Sequence, residues 1–318
     1  MTSKKVIIVG SGPAGYSAAI YLARAKFEPL MISGDDIGGQ PMWTSEIENY
    51  AGFKDGIDGK KLMIEMKEQA EKFGTEVIYE KVINADLSRV REFRLKTSSG
   101  DYESESIVIA TGSKSIRLNL ANEDKFFGRG ISVCAVCDAA FFQDKTVFVV
   151  GGGDTAIEDS LALTKFAQRV NLIVRRDRLR ASKYMQEKIK QNKQINIWWN
   201  HEVIKLVGDY RLSKLILVNN KTNEEIETEA DGLFYAIGRK PNSHLFNNQI
   251  KIDENGYIMT SLYYQGNQIE KSNYLMMTSL PGVFAAGDVV DMKYRQVSVA
   301  VGMGAMAALD CERWLEDR

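Results

Sequence analysis

Lys5-Val-Ile-Ile-Val9 runs directly into Gly10-Ser-Gly12-Pro13-Ala14-Gly15, and an alanine-rich stretch, Tyr16 to Lys26, follows. A short apolar run ahead of closely spaced glycines reads as a buried strand, a tight turn and the start of a helix. Glu28 to Ile32 returns to strand, which completes a βαβ opening. Gly10, Gly12 and Gly15 fit GxGxxG, where absent Cβ atoms permit the turn and let the backbone approach a pyrophosphate. The helix starting there offers free N–H groups and a partial positive charge to phosphates. Alone, the pattern also occurs in tight connections that bind nothing. The strand before it and the helix after it give it meaning here. The second strand ends Ile32-Ser33-Gly34, with no acidic residue where a ribose is usually held; Asp35 and Asp36 come slightly later.

The same arrangement returns further on. Val147 to Val150 reads as a strand, Gly151-Gly-Gly153-Asp154-Thr155-Ala156 as a GxGxxA turn, and Asp154 to Phe166 as a helix. Asn171 to Val174 is the next strand, and the residues that follow it decide the cofactor. An acidic side chain about 20 residues past the turn would hold a free ribose 2′-hydroxyl, whereas arginines there suit a 2′-phosphate. This chain has Arg175 and Arg176, with Arg178 and Arg180 close by. A solvated basic loop is the plain alternative; the position favours NADPH over NADH. Asp58 to Phe73 and Ser182 to Gln191 are further expected helices, and Gln296 to Leu315 closes the chain with another. The copies end in Ala110-Thr111-Gly112 and Ala236-Ile-Gly238, and the junctions between them fall near Gly112 to Leu120 and Arg239 to Leu245. The two turns are too far apart for a solenoid repeat, so a duplicated nucleotide-binding fold is expected.

Between the copies lies Val133-Cys134-Ala-Val-Cys137-Asp138. Two cysteines with two residues between them can close and reopen a small disulfide ring. Zinc would need two more ligands, and Cys311, His201 and His244 are unpaired in sequence, so no metal is expected. Two inert core cysteines are the other alternative, against which Asp138 argues. Cys137-Asp138 is expected to open a short helix, Ala139 to Phe142, whose N-terminus would favour a thiolate. Asp138 either caps that helix or, with its pKa raised by burial, acts as the acid for a leaving thiolate. Cys311, alone in the closing segment, reads as a small core residue.

The bulk composition agrees with a folded α/β protein. The 318 residues are 44% hydrophobic and 26% charged, with 26 glycines and 5 prolines, enough chain for roughly two domains. A net charge of −1 supplies no basic field for nucleic acid or an anionic membrane. No apolar run approaches the roughly 18 residues of a membrane span, and the N-terminal strand is too short for a signal-peptide core. Three cysteines make no disulfide framework, so the expected location is cytoplasmic, where a CxxC pair is more plausibly catalytic.

These residues, in this order, closely resemble the low-molecular-weight thioredoxin reductases over nearly the whole chain. The likeness is carried by Gly10 to Gly15, Gly38-Gly39-Gln40, Ala110-Thr111-Gly112, Cys134 to Asp138, Gly151 to Ala156, Arg175-Arg176-Asp177, Gly287-Asp288 and Tyr294-Arg295-Gln296. The resemblance implies two Rossmann-like domains, the NADPH domain inserted into the FAD domain: 1–114 and 245–318 for FAD, 115–244 for NADPH and the dithiol. It implies that Gly10, Gly12, Pro13, Ala14, Gly15, Gly39, Gln40, Asn49, Ala110, Thr111, Gly112, Gly287, Asp288, Arg295, Gln296 and Val297 hold FAD. For NADPH it implies Gly151, Gly153, Asp154, Thr155, Ala156, Arg175, Arg176 and Arg180. Cys134, Cys137 and Asp138 would be catalytic, with Cys137 nearer the flavin. Thioredoxin, or a thioredoxin-like small protein, would receive the electrons, and the protein would be a homodimer. A different protein partner or electron donor is the alternative, and a flavin-containing redox sensor a more distant one. Four departures stand out: Val174 where the family usually has His, Ala139 where it has Gly, Leu120-Ala-Asn122 in place of Pro-Gly, and Val299-Ala-Val-Gly-Met-Gly304 near the end. The segment Ser261 to Met277 reads as longer than usual and as an exposed hairpin.

Overall fold

A computed structural model describes residues 2–44, 46–263 and 273–317. Most of the stretch expected as a hairpin, 264–272, lies outside the described residues. The chain divides into two compact units, one of Met1–Lys114 with Lys240–Arg318 and one of Ser115–Arg239.

In the first unit β1 (Thr2–Val9) leads into α1 (Pro13–Arg24) and β2 (Leu30–Ile32). The helix begins three residues before the expected Tyr16 because Pro13 takes its first turn, where a missing N–H costs nothing. β2 is shorter than the expected Glu28–Ile32, since Glu28 sits at φ +47 and Pro29 has no N–H to pair. Then come α2 (Gly59–Lys72), capped by Asp58 accepting from the Lys61 N–H, and β3 (Glu76–Ile78). β4 (Asn84–Asp86), β5 (Phe93–Lys96) and β6 (Asp101–Ile109) form an antiparallel meander. β7 (Ser113–Ser115) leaves the unit.

In the second unit a short helix, α3 (Glu123–Phe126), precedes β8 (Ile131–Ser132) and α4 (Ala135–Asp138). β9 (Thr146–Val150), α5 (Asp154–Leu163) and β10 (Arg169–Val174) repeat the strand–helix–strand motif, followed by α6 (Lys183–Gln191) and β11 (Ile195–Trp199). β12 (His201–Val207), β13 (Lys214–Asn219) and β14 (Glu225–Glu229) make an antiparallel sheet, and β15 (Gly232–Tyr235) ends the unit. Its main sheet is parallel in the order β11-β10-β9-β15-β8.

β16 (Arg239–Pro241) returns the chain to the first unit, where β17 (Val283–Ala285) and α7 (Val297–Glu316) complete it. β17 pairs parallel with β6, so the order β3-β2-β1-β6-β17 contains strands from both ends of the chain. The return lies at Lys240, earlier than the expected 245, because Asn242 is tied to Thr111. Its amide donates to the Thr111 carbonyl at 2.8 Å, and its own carbonyl accepts the Thr111 hydroxyl at 2.7 Å.

α7 carries its buried residues at helical spacing: Ala300, Met303, Gly304, Ala307, Ala308, Cys311 and Leu315. Small residues let it press on α1. A Cβ on Gly304 would stand 2.1 Å from the Ala14 carbonyl oxygen, while one on Gly302 would meet nothing within 4 Å. Gly304→Ala is therefore expected to lower stability by about 1–3 kcal/mol, as overpacking does. Gly302→Ala should raise it by roughly 0.5–1 kcal/mol through helix propensity. Denaturant unfolding of the two variants checks the opposite signs.

Candidate active site

The first glycine turn is built by exclusion. Gly10 has φ +110, and a Cβ there would lie 2.3 Å from the Ala110 carbonyl oxygen. A Cβ on Gly15 would lie 2.0 Å from the Gly10 oxygen. Both glycines are consumed by packing the turn onto β6 and onto itself. Gly12, at the N-terminus of α1, has open space on its Cβ side. It leaves backbone exposed where a phosphate can be received, so the turn fits a dinucleotide.

The other residues expected at this cradle gather around it in the first unit. Gly39 comes close enough to Gly12 that an added Cβ would stand 3.3 Å from its Cα. Gln40 donates to the Ser113 carbonyl at 2.7 Å, and the Ser113 hydroxyl donates to Asp288 at 3.4 Å. Gly287 abuts Ala14, while Asn49 donates to the Gln296 side chain at 3.2 Å. Pro13 and Ala14 open α1, Ala110, Thr111 and Gly112 follow the end of β6, and Val297 starts α7. Asp35 and Asp36, the late acidic residues, are paired with Lys81 and Lys114.

Sequence reasoning missed Asp291. It is buried, and its carboxylate accepts the backbone N–H groups of Lys293, Tyr294 and Arg295 at 2.9, 2.8 and 2.6 Å. That holds Arg295 at φ +53 just before α7. The signal was an acidic residue ahead of a short polar run, which also describes any surface turn.

The second glycine turn repeats the principle. A Cβ on Gly151 would lie 2.5 Å from the Ala236 carbonyl oxygen and 2.7 Å from the Ala156 Cβ, whereas Gly153 faces open space at the start of α5. The loop after β10 folds onto this turn: the N–H groups of Arg180 and Ala181 donate to the Gly152 oxygen at 2.7 and 3.1 Å. Asp154, expected to touch the cofactor, accepts the Ser182 N–H at 2.8 Å and its hydroxyl at 2.9 Å, both on Oδ1, which anchors the far end of the same loop. Thr155 follows it in α5. Arg175, Arg176, Arg178 and Arg180 are exposed, and among the described residues none forms a salt bridge. Four uncommitted guanidinium groups on a loop clamped to the cradle suit an extra phosphate. Val174 is buried and touches the Gly152 position, so it is packing.

At the dithiol, Cys134 and Cys137 form a disulfide. The helix here starts earlier than expected. Cys134 is the residue ahead of α4, and its sulfur accepts the Cys137 N–H at 3.2 Å; the Ala139–Phe142 turn follows as a tighter 3₁₀ segment. The freed N–H therefore points at Cys134. Val136, between the cysteines, is 70% exposed.

Asp138 caps nothing. It ends α4, and its carboxylate Oδ2 accepts the Ser132 hydroxyl at 2.5 Å. Ser132 is buried in β8 and also accepts the Cys134 N–H at 3.1 Å. Burial pushes the Asp138 carboxyl up from its ordinary value, and the Ser132 bond opposes this only in part. The sequence named Asp138 but not Ser132, since a lone serine inside Ile-Ser-Val carries no pattern. Cys311 is fully buried, 3.1 Å from the Ser106 hydroxyl, and its thiol is pushed up to about 12 by burial, which makes it inert.

A disulfide that can open and close, in a chain with two dinucleotide cradles, defines a class: proteins that pass electron pairs between a pyridine nucleotide and a cystine. Comparison agrees. Residues 4–304 match the family model for pyridine nucleotide-disulphide oxidoreductases. A thioredoxin reductase of Chlamydia trachomatis is 44% identical, with all of both chains covered. Among solved structures, a thioredoxin reductase from Streptococcus pyogenes aligns at a TM-score of 0.91 with 36% identity, over 100% of this chain and 99% of its own. One from Giardia duodenalis gives 0.89 and 36%, over 99% and 100%. The chain belongs to the pyridine nucleotide-disulphide oxidoreductase family, in its low-molecular-weight thioredoxin reductase branch.

The raised Asp138 carboxyl has a measurable sign. Between the ordinary aspartate value, near 4, and the raised one, the folded state holds a proton that the unfolded state has lost, so stability falls as pH rises through that window. Asp138→Asn cannot ionise and lacks this loss. Unfolding titrations should show the variant gaining on wild type as pH rises from about 4 toward neutrality; a pH-independent difference would contradict the raised value.

Proposed function

We propose that this protein is an NADPH-dependent thioredoxin reductase that uses FAD and the Cys134–Cys137 dithiol to reduce the disulfide of thioredoxin. The observation that carries the reading is the Cys134–Cys137 disulfide, held with Asp138 in the unit that also bears the second cradle. The first cradle, with Gly12, Gly39, Gln40 and Gly287-Asp288 around it, is the FAD site. The second, with Gly153 and the arginine loop, is the NADPH site. When bound, FAD supplies the two-electron relay between the nicotinamide and the disulfide.

The chain's own groups do the rest. The open N–H groups at Gly12 and Gly153 receive pyrophosphates, and Arg175, Arg176 and Arg180 receive the 2′-phosphate. Once the ring is open, the Cys137 N–H favours negative charge on Cys134, so Cys134 attacks the partner disulfide. Asp138, whose burial favours the protonated form, gives its proton to a sulfur anion and later recovers one. Val136 offers an apolar contact beside the sulfurs. Among the described residues no helix is long and apolar enough to cross a membrane. We place the protein in the cytoplasm, whose reducing poise suits a catalytic CxxC. We also infer a homodimer, as the resemblance implies.

Exchanging Cys134 and Cys137 together for Ser should abolish NADPH-driven reduction of thioredoxin, while NADPH still bleaches the flavin's visible absorbance in stopped flow. Continued turnover of thioredoxin by that variant would remove the dithiol from the route. Separately, Arg175→Ala with Arg176→Ala should raise KM for NADPH about 10- to 100-fold, the worth of one or two charge-assisted phosphate contacts, and leave KM for NADH nearly unchanged. Steady-state kinetics with both nucleotides decides it.

A further inference from the structure

The Ser132 hydroxyl occupies a position that the electron route alone does not require. It donates to Asp138 Oδ2 at 2.5 Å, accepts the Cys134 N–H at 3.1 Å, and has the Cys134 carbonyl within reach at 3.4 Å. The same carbonyl accepts the Asp138 N–H at 3.1 Å. The serine side chain thus links the backbone on both sides of the first sulfur to one oxygen of the carboxylate. Among the described residues that hydroxyl is a side-chain partner of the Asp138 carboxylate, and the oxygen it engages is Oδ2.

We propose that Ser132 is a positioning residue for the proton of the dithiol: by pinning Oδ2 it makes Oδ1 the oxygen that carries the proton to and from the sulfur pair. The step balances simply. Two electrons entering the S–S bond break it into two sulfur anions. The proton on Oδ1 passes to one of them, leaving one thiol, one thiolate and the Asp138 carboxylate. The Ser132 O–H then donates to a fully charged oxygen, where a hydrogen bond is strongest. On return of the proton, the bond weakens without being lost. The hydroxyl also has a second acceptor, the Cys134 carbonyl, so neither protonation state of Asp138 strands a buried donor.

The surroundings contain few competitors. α4 packs against α5, which carries Asp154, Glu158 and Asp159, and against the Ala139–Phe142 turn, which has no ionisable residue. Asp154 is committed to Ser182. Burial and the Ser132 bond, acting in opposite directions, are the two influences on the Asp138 carboxyl. Removing the hydroxyl therefore lets burial act unopposed.

This inference rests on the acid role of Asp138, and the test separates the two. The oxidised holoenzyme, whose cysteines do not titrate, is labelled with carboxyl-¹³C aspartate and titrated by NMR; the resonance missing from Asp138→Asn identifies the group. Ser132→Ala should move its midpoint upward by about one pH unit, the shift expected for losing one charge-assisted bond. Ser132→Thr, which keeps the hydroxyl, should restore it, and the alkaline limb of kcat, where the acid loses its proton, should move with the midpoint. Ser132→Gly deletes the same hydroxyl with less bulk and must give the same shift if the alanine variant fails to fold. An unmoved midpoint in the hydroxyl-free variants overturns the role of Ser132 and leaves Asp138 untouched. Full thioredoxin turnover by Asp138→Asn would instead overturn the acid reading on which it rests.

Discussion

The fold depends on a steric constraint met twice: the turn that leaves one strand must pass against a carbonyl at the end of the neighbouring strand, with no side chain between. At Gly10 and Gly15, and again at Gly151, a Cβ would fall between 2.0 and 2.5 Å from a backbone oxygen. Real carbon atoms do not approach so closely, so each position admits glycine alone. The contact draws the helix start over the end of the strand. It also leaves the next glycines, Gly12 and Gly153, uncovered. The same closure that makes the core dense makes the cradle empty, and the binding surface is a by-product of packing. In the first unit the constraint extends to the end of the chain, because Gly304 seats α7 on the Ala14 backbone and Gly287 seats the Asp288 turn on the Ala14 side chain. Residues hundreds of positions apart are thereby fixed around one turn.

Polar clamps do in the second unit what glycine contacts do in the first. The arginine side chains of the loop are exposed, and its apolar residue Leu179 is only partly buried against the core, so burial supplies only part of its order. Its backbone is held by the Gly152 oxygen at one point and its end by Asp154 through Ser182. Four like charges on one short loop repel one another, and exposed ion pairs would be worth little in any case. Fixing the backbone while leaving the guanidinium groups unpaired keeps that repulsion available for relief by a phosphate.

The sequence was most legible where the physics is local. Strand, glycine turn and helix were placed to within a few residues, because periodicity and glycine spacing report backbone geometry directly. The helices expected to begin at Asp58 and Ser182 do start there, each of these residues capping the first turn. What the sequence could not show was partnership across distance. Asp154 reads as a cofactor residue because it sits in the motif, and nothing in that motif announces its bond to Ser182, 28 positions away. Thr111 and Asn242, whose clasp moves the unit boundary, are separated by 131 positions. The start of α4 was misplaced because Cys134, as the residue ahead of a helix, is an unusual choice: its sulfur substitutes for the oxygen of the common capping side chains. Ser132 and Asp291 were invisible because one polar residue in an apolar strand, or one acid before a turn, acquires a role only when folding buries it.

The chemistry of the dithiol follows from an argument about competing charges. Opening the ring creates negative charge, and the Cys137 N–H offers it a partner at Cys134. Were Asp138 also ionised, one residue from Cys137, two anions would share a partly buried site, and their repulsion would cancel the benefit of that hydrogen bond. Burial removes the conflict. Desolvation raises the carboxyl and outweighs the opposing Ser132 hydrogen bond, so the neutral form persists to higher pH than in a free aspartate. In the proposed mechanism the carboxyl then enters the reaction as a proton donor and becomes an anion only after its proton has cancelled one of the two new charges. The site never holds more than two negative charges, and one of them is always met by the Ser132 hydroxyl or the Cys137 N–H. A polar residue with a higher intrinsic acidity, or a more exposed Asp138, would give up its proton too early and leave the sulfur pair to be protonated by water.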